Sequence, residues 1–216
     1  MDKIISYFLQ NQERVFAAIG EHCYLFAVST LFAIVIGISI GIFVTGEGRE
    51  KIGRVVLTVT GAAQAVPSMA VVALVFIFVG IGFAPAAIAL VIYSLVPIIF
   101  NTTSGLLSIS PKLVEAAKGV GLTNLQVLWK IKLPIAVPVI MAGIRSAATI
   151  NIGTATVAAV IGGGGLGDLI FIGLKLQRTE IILIGTFLAA FIAVLVDTLI
   201  AQAEKAITPN GLKISR

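Results

Sequence analysis

The chain has 216 residues, 58% hydrophobic and 12% charged, against about half and a quarter in an ordinary soluble domain. With a mean hydropathy of +1.11, this composition excludes a conventional soluble globular protein and points to membrane spans. The net charge of +5 comes from basic residues scattered between apolar runs, so it reads as a topology signal and not as a nucleic-acid footprint.

Residues 1–23 form a segment ahead of the first span. Ile4, Ile5, Phe8, Val15 and Ile19 recur there at roughly helical spacing, which predicts a helix over 4–19 lying on the membrane surface. The segment does not read as a cleaved signal peptide: Lys3 and Arg14 alone precede the apolar run, which is too long for an h-region, and no A-x-A-like site follows. His22 and Cys23 are adjacent at the polar edge of the first span. Two neighbouring residues are not a metal site, and one cysteine excludes an intrachain disulfide.

Tyr24–Val44 is uncharged over 21 residues, about 31 Å as a helix, enough for a hydrocarbon core of ~30 Å. Positions 55–111 hold 57 residues without a charge, too many for one span. Gly80-Ile81-Gly82 with Pro85 divides them into spans at 55–79 and 85–107. The fourth and fifth spans are 135–160 and 181–203, so the transmembrane domain covers 24–203, followed by a tail at 204–216. The second span carries Gln64, Pro67 and Ser68, and the third Tyr93, Ser94, Pro97 and Asn101. Proline kinks a helix, and such a break is tolerable where it faces protein or a watery cavity. Gln64, Pro67, Ser68, Tyr93 and Asn101 are therefore candidates for a translocation path, with close helix packing as the alternative use of these segments.

Residues 108–134 are polar and basic within an oily chain. Ser110-Pro111 reads as an N-cap followed by proline at the first helical position. Glu115-Ala116-Ala117 are good helix formers, Gly119 and Gly121 stop the helix, and Thr123-Asn124-Leu125-Gln126 has the form of a capping box. The pattern predicts two short helices with a glycine hinge, the second ending at Pro134. Ala116, Ala117 and Gly119 predict one surface free of bulk, which another protein could approach closely. A connector of this length exceeds the usual helix–helix connection and invites a partner.

Arg145 in the fourth span and Asp197 in the fifth are intramembrane charges, costly in lipid and functional candidates by default. Their depths, about 15 and 9 Å from the same membrane face, leave two readings: mutual pairing or snorkelling, and a pore or gating role. Between these spans the run Gly162, Gly163, Gly164, Gly165, Leu166, Gly167 is followed by Asp168. It lacks the lysine of a phosphate-binding P-loop, and its match to G-x-G-x-x-G has no βαβ context. The glycines instead predict a turn that ends the fourth span and lets 165–180 fold back.

Five spans place the termini on opposite sides. The loop 45–54, the connector and the tail hold ten Lys and Arg, against four at Lys3, Arg14, Lys175 and Arg178. The positive-inside rule puts the ten in the cytoplasm and the N-terminus outside.

Glu115-Ala116-Ala117, three residues, Gly121, nine residues, then Ile131-x-Leu133-Pro134 resembles the EAA loop of ABC-importer permeases. Ala65-Val66-Pro67-Ser68, Tyr93-Ser94-Leu95-Val96-Pro97-Ile98 with Asn101-Thr102, Ala142-Gly143-Ile144-Arg145 and Ile161–Asp168 look like the osmoprotectant branch of that family. The resemblance runs from about residue 20 to 203. It implies an all-α integral membrane protein of five spans with the type I ABC-importer permease fold and two short cytoplasmic coupling helices. It also implies that Glu115, Ala116, Ala117, Gly119, Gly121 and Leu122 couple to an ATPase. On this reading the chain is a permease, not an enzyme, in a bacterial cytoplasmic membrane, importing glycine betaine, carnitine or choline, or another betaine such as ergothioneine. It carries no cofactor or metal itself; ATP and Mg belong to two partner ATPase subunits. A second permease chain, identical or paralogous, and an extracytoplasmic binding protein complete the expected partners. An ion-coupled secondary transporter is disfavoured, since no internal repeat divides the chain into halves.

Overall fold

The computed structural model describes residues 2–208; residues 209–216 of the predicted tail, with Lys213 and Arg216, lie outside the described residues. Among the described residues there are helices and connections and no strand. The long helices are α2 (Gln12–Val44), α5 (Phe83–Leu107), α8 (Leu133–Ala158) and α10 (Thr179–Ile207). Shorter elements are α1 (Asp2–Gln10), α3 (Glu50–Ala63), α4 (Ser68–Val79), α6 (Pro111–Gly119), α7 (Asn124–Val127) and α9 (Leu166–Lys175). Four helices are long and apolar enough to cross a membrane, or five spans if the broken pair α3–α4 counts as one. Phe32, Ile77, Phe78, Phe187, Phe191 and Val194 are all exposed. A water-soluble monomer does not display apolar surface on that scale; a lipid bilayer accepts it.

Three sequence expectations are corrected. First, 4–19 is not a single helix lying on a surface. α1 ends at Gln10 and α2 begins at Gln12, and Val15 and Ala18 are core residues packed with Ile152, Leu166 and Ile181. Val15 of the apolar stripe is buried in protein, with Ile4, Phe8 and Ile19 packed against the same core and Ile5 exposed, and the first long helix starts a dozen residues earlier than Tyr24. Second, Pro67 breaks the second span instead of kinking it. α3 stops at Ala63, and Pro67, with φ −62° and ψ 136°, is the N-cap of α4; the residue before a proline is itself biased away from helix. Third, Pro134 does not end the second connector helix. Helix continues from Asn124 to Ile161, because Leu128–Lys132 forms one π turn in which the Leu133 N–H donates to the Leu128 carbonyl. A wider turn gives the proline ring the room that an α turn denies it.

The chain divides into two compact units. One takes in the chain up to Ala33, Val66–Ser94 and Ala148–Asp197. Its cores are the cluster around Val15, Leu166, Leu169 and Ile181 and one of Leu25, Val72, Leu90 and Ile161 among small alanines. In this unit the Asn151 amide donates to Ser29 Oγ at 2.9 Å and Thr30 Oγ1 at 2.7 Å, and all three residues are buried. The signal for this link was in the sequence, as polar residues inside apolar runs, but the pairing is not readable from one helix. The second unit comprises Ile34–Ala65, Leu95–Ala147 and the chain from Thr198 onward. Leu106, Ile109, Ala136 and Ile140 form its core.

Within the second unit α5 and α8 cross at near backbone contact. A Cβ on Gly143 would lie 2.6 Å from Asn101 Cβ and 3.0 Å from the Pro97 carbonyl oxygen. The Asn101 amide donates back to that carbonyl at 2.8 Å. Gly143→Val is therefore expected to destabilise the protein by about 1–3 kcal/mol through overpacking. Thermal unfolding of the detergent-purified chain checks this; an unchanged midpoint would show that the crossing is loose.

Candidate functional site

The α5–α8 connector is built from local signals. Ser110 occupies the N-cap position of α6 and Pro111 its first position, as predicted, but the serine hydroxyl makes no capping bond. α6 ends in a Schellman arrangement: the Leu122 N–H donates to the Ala117 carbonyl at 3.2 Å and the Gly121 N–H to the Lys118 carbonyl at 2.9 Å. Gly121 takes φ +87°, where L-residues with a Cβ are strained, so Gly121 makes the turn and Gly119 is simply the last helical residue. The capping box of α7 is present: the Gln126 N–H donates to Thr123 Oγ1 at 3.3 Å and the Thr123 N–H to Gln126 Oε1 at 2.9 Å.

Glu115, Ala116, Gly119 and Gly121 are exposed and Leu122 is half-buried. Ala117 departs from the expectation: it is 7% exposed. It lies three residues from Val114, which packs on the core of this unit, so it faces the protein and not the free surface. Ala116 and Gly119 are accessible on α6, and Val120, Leu125 and Trp129 of the connector are 81%, 66% and 62% exposed. Such apolar exposure on a polar connector marks an interaction surface.

The sequence reading missed Glu47, in the turn between α2 and α3. Its carboxylate accepts from Lys118 Nζ at 2.7 Å and from the Asn124 side-chain amide. The Lys118 hydrogen bond and charge hold the Glu47 carboxyl below its ordinary value. Beneath the connector lies a cleft of about 480 Å³ walled by Phe43, Glu47, Arg49, Val114, Lys118 and Leu128. The partners are 71 and 77 positions away, which is why no short motif reveals them.

At the glycine run, Gly162, Gly164 and Gly165 take φ of +81°, +71° and +78°. The Gly82 N–H donates to the Ile161 carbonyl at 2.8 Å, and the Gly165 N–H to Glu21 Oε2 at 2.9 Å. A Cβ on Gly165 would lie 3.0 Å from His22 Cα. The run thus ends α8 and starts α9 as the sequence predicts, in a fold-back too tight for side chains. Asp168, three residues into α9, has its carboxyl raised by burial and by the charge of Glu21.

The path candidates fall on several elements. Gln64 and Pro67 are exposed at the break, Ser68 and Tyr93 are half-buried, and Asn101 serves the α5–α8 crossing. Arg145 and Asp197 are half-buried in α8 and α10. Among the described residues no group of three or more His, Cys, Asp or Glu could hold a metal.

Residues 24–209 match the family described as binding-protein-dependent transport system inner membrane component, and the chain belongs to that family. It is a multi-pass membrane permease component. The chain is 36% identical over 99% of its length, and 97% of the relative's, to the glycine betaine/carnitine/choline transport system permease protein of Bacillus subtilis. It is 36% identical over its whole length, and 98% of the relative's, to the carnitine transport permease protein of Listeria monocytogenes. An osmoprotectant import permease protein of Salmonella typhimurium is 38% identical over 88% of this chain and 80% of its own. Among solved structures, the inward-facing MetNI methionine ABC transporter aligns with a TM-score of 0.77 at 22% identity, over 92% of this chain and 98% of that one. An amino acid ABC transporter crystallised with histidines aligns at 0.72 and 14% identity, over 93% and 97%. These establish the type I ABC-importer permease fold.

Gly165→Val is expected to cripple transport while the chain still inserts, because valine resists positive φ and would press on His22. Normal uptake in this variant, together with Gly164→Val, would reduce the run to a spacer.

Proposed function

We propose that this chain is the translocating subunit of an ATP-driven importer for a compatible solute such as glycine betaine, carnitine or choline. The observation that carries the reading is near full-length similarity to permeases named for those solutes. The connector supports the mechanism: the turn at Gly121 joins two helices that carry the exposed small residues Ala116 and Gly119 and the exposed apolar residues Val120, Leu125 and Trp129. On this proposal Glu115, Ala116, Gly119 and Gly121 form the surface that seats an ATPase subunit, with Ala117 and Leu122 holding that surface from beneath. ATP and Mg act in the partner. Two ATPase subunits serve two permease chains, identical or paralogous, since each chain has a single connector of this kind. An extracytoplasmic binding protein delivers the solute; the one tryptophan of this chain, Trp129, lies in the connector. The N-terminus is placed outside and the connector in the cytoplasm, on the excess of Lys and Arg in the connector-side loops.

The test is uptake in vesicles reconstituted with ATPase and binding protein. Uptake should require internal ATP and survive an uncoupler. Loss with an uncoupler while ATP is present would mean ion coupling instead. Calorimetry on the binding protein identifies the solute. Ala116→Trp, at an exposed position, should weaken ATPase copurification and lower solute-stimulated hydrolysis and uptake together, with insertion unaffected. Wild-type behaviour of that variant would remove the connector from the docking surface. Ala117→Trp should instead unsettle the connector itself, because that side chain is buried.

A further inference from the structure

We propose that Glu47 is a positioning residue that fastens the connector to the α2–α3 turn, so that displacement of α6 and α7 is delivered to α3 as well as to α5 and α8. The inference rests on the proposal that the connector seats the ATPase. By covalent connection alone, the connector pulls only on α5 and α8. Glu47 adds a third attachment. One carboxylate accepts from Lys118, in the last turn of α6, and from Asn124, the first residue of α7. It thereby spans the Gly121 hinge and ties both sides of it to one point. The hinge is the place where the connector's two helices can shift independently, so a clasp across it makes them move together. An anion beside Asn124 also suits the N-terminal end of the helix running from there to Ile161.

The turn presenting Glu47 is itself rigid. The Arg49 N–H donates to the Gly46 carbonyl at 3.0 Å, and Gly48 takes φ +73°, as the third residue of a type II turn requires. Arg49 donates from Nη1 to the Phe43 carbonyl at 3.2 Å and lies 4.0 Å over the Phe43 ring, locking the turn to the end of α2. On its other side α3 is held close: a Cβ on Gly53 would lie 3.0 Å from the Val44 carbonyl oxygen and 3.4 Å from Leu107 Cδ1. A pull on Glu47 therefore meets no slack before α3. That helix leads directly to the break at 64–67, the one place where a span is interrupted among the described residues.

The test is a charge-swap cycle in the full complex, reading solute transported per ATP hydrolysed. Glu47→Lys places a third cation beside Lys118 and Lys132, and should lower that ratio by about threefold or more while the ATPase still copurifies. Glu47→Gln keeps the shape and an acceptor for Asn124, and should fall between wild type and Glu47→Lys. Pairing Glu47→Lys with Lys118→Glu restores the ion pair and should recover most of the ratio. Amide exchange at 46–49 and 119–124, measured in the same complexes, should rise in the single variants and return in the pair. A wild-type ratio in Glu47→Lys overturns the proposal even if exchange rises, because the clasp then exists without carrying motion. A swap as impaired as its worse single variant also overturns it. Failure of the docking proposal looks different: Ala116→Trp would then leave the ATPase attached and stimulated.

Discussion

A backbone in hydrocarbon must satisfy its own hydrogen bonds. That constraint arranges everything else in this chain. Four long helices close their ladders internally, and they absorb Pro97 and Pro138 without interruption. Among the described residues irregular backbone falls at Asn11, 45–49, 64–67, 80–82, the connector, the glycine run and 176–178. At the glycine run the Gly165 N–H finds the Glu21 carboxylate, and just before it the Ile161 carbonyl, left open by the helix end, accepts from the Gly82 N–H. The break at 64–67 is the one that interrupts a span among the described residues. There the Gln64 and Ala65 N–H groups still donate to the Thr60 and Ala62 carbonyls, while the Gln64 side chain is exposed within a span.

The same constraint explains the connector. Motion imposed from outside the bilayer must reach helices that cannot bend freely without losing hydrogen bonds. On the proposed function a rigid lever is the economical solution, and the connector has its features. One side runs without a break into α8 through the π turn at Leu128–Lys132. The other side turns sharply at one glycine. Ten polar or charged side chains lie within 108–134, as suits a segment outside the bilayer, and on the proposed function the exposed Val120, Leu125 and Trp129 offer apolar surface to a partner.

Much of this was legible in the sequence. Uncharged runs located the long helices, since charge in hydrocarbon is costly whatever the fold. The Schellman turn at Gly121 and the capping box at Thr123–Gln126 followed from residue type and spacing, because caps are local chemistry. What escaped depended on distance or on competing local effects. Glu47 meets Lys118 and Asn124 across more than seventy residues. Ala117 looked like part of an open surface because its burial depends on what lies beneath α6. Pro134 looked like a terminator, and a single π turn sufficed to carry the helix past it. The early start of α2 was hidden because a stripe facing lipid headgroups and one facing protein have the same periodicity.

The central claim is that the connector seats the ATPase and passes its closure to the spans. Val120, the most exposed of its apolar residues, offers the direct test. In a Cys23→Ser background, Val120→Cys can be labelled with a bulky thiol reagent in inverted vesicles with and without the ATPase subunit. The account predicts that bound ATPase shields the thiol, and that prior labelling abolishes solute-stimulated hydrolysis and uptake. Equal labelling in both states, with full stimulation after modification, would contradict it.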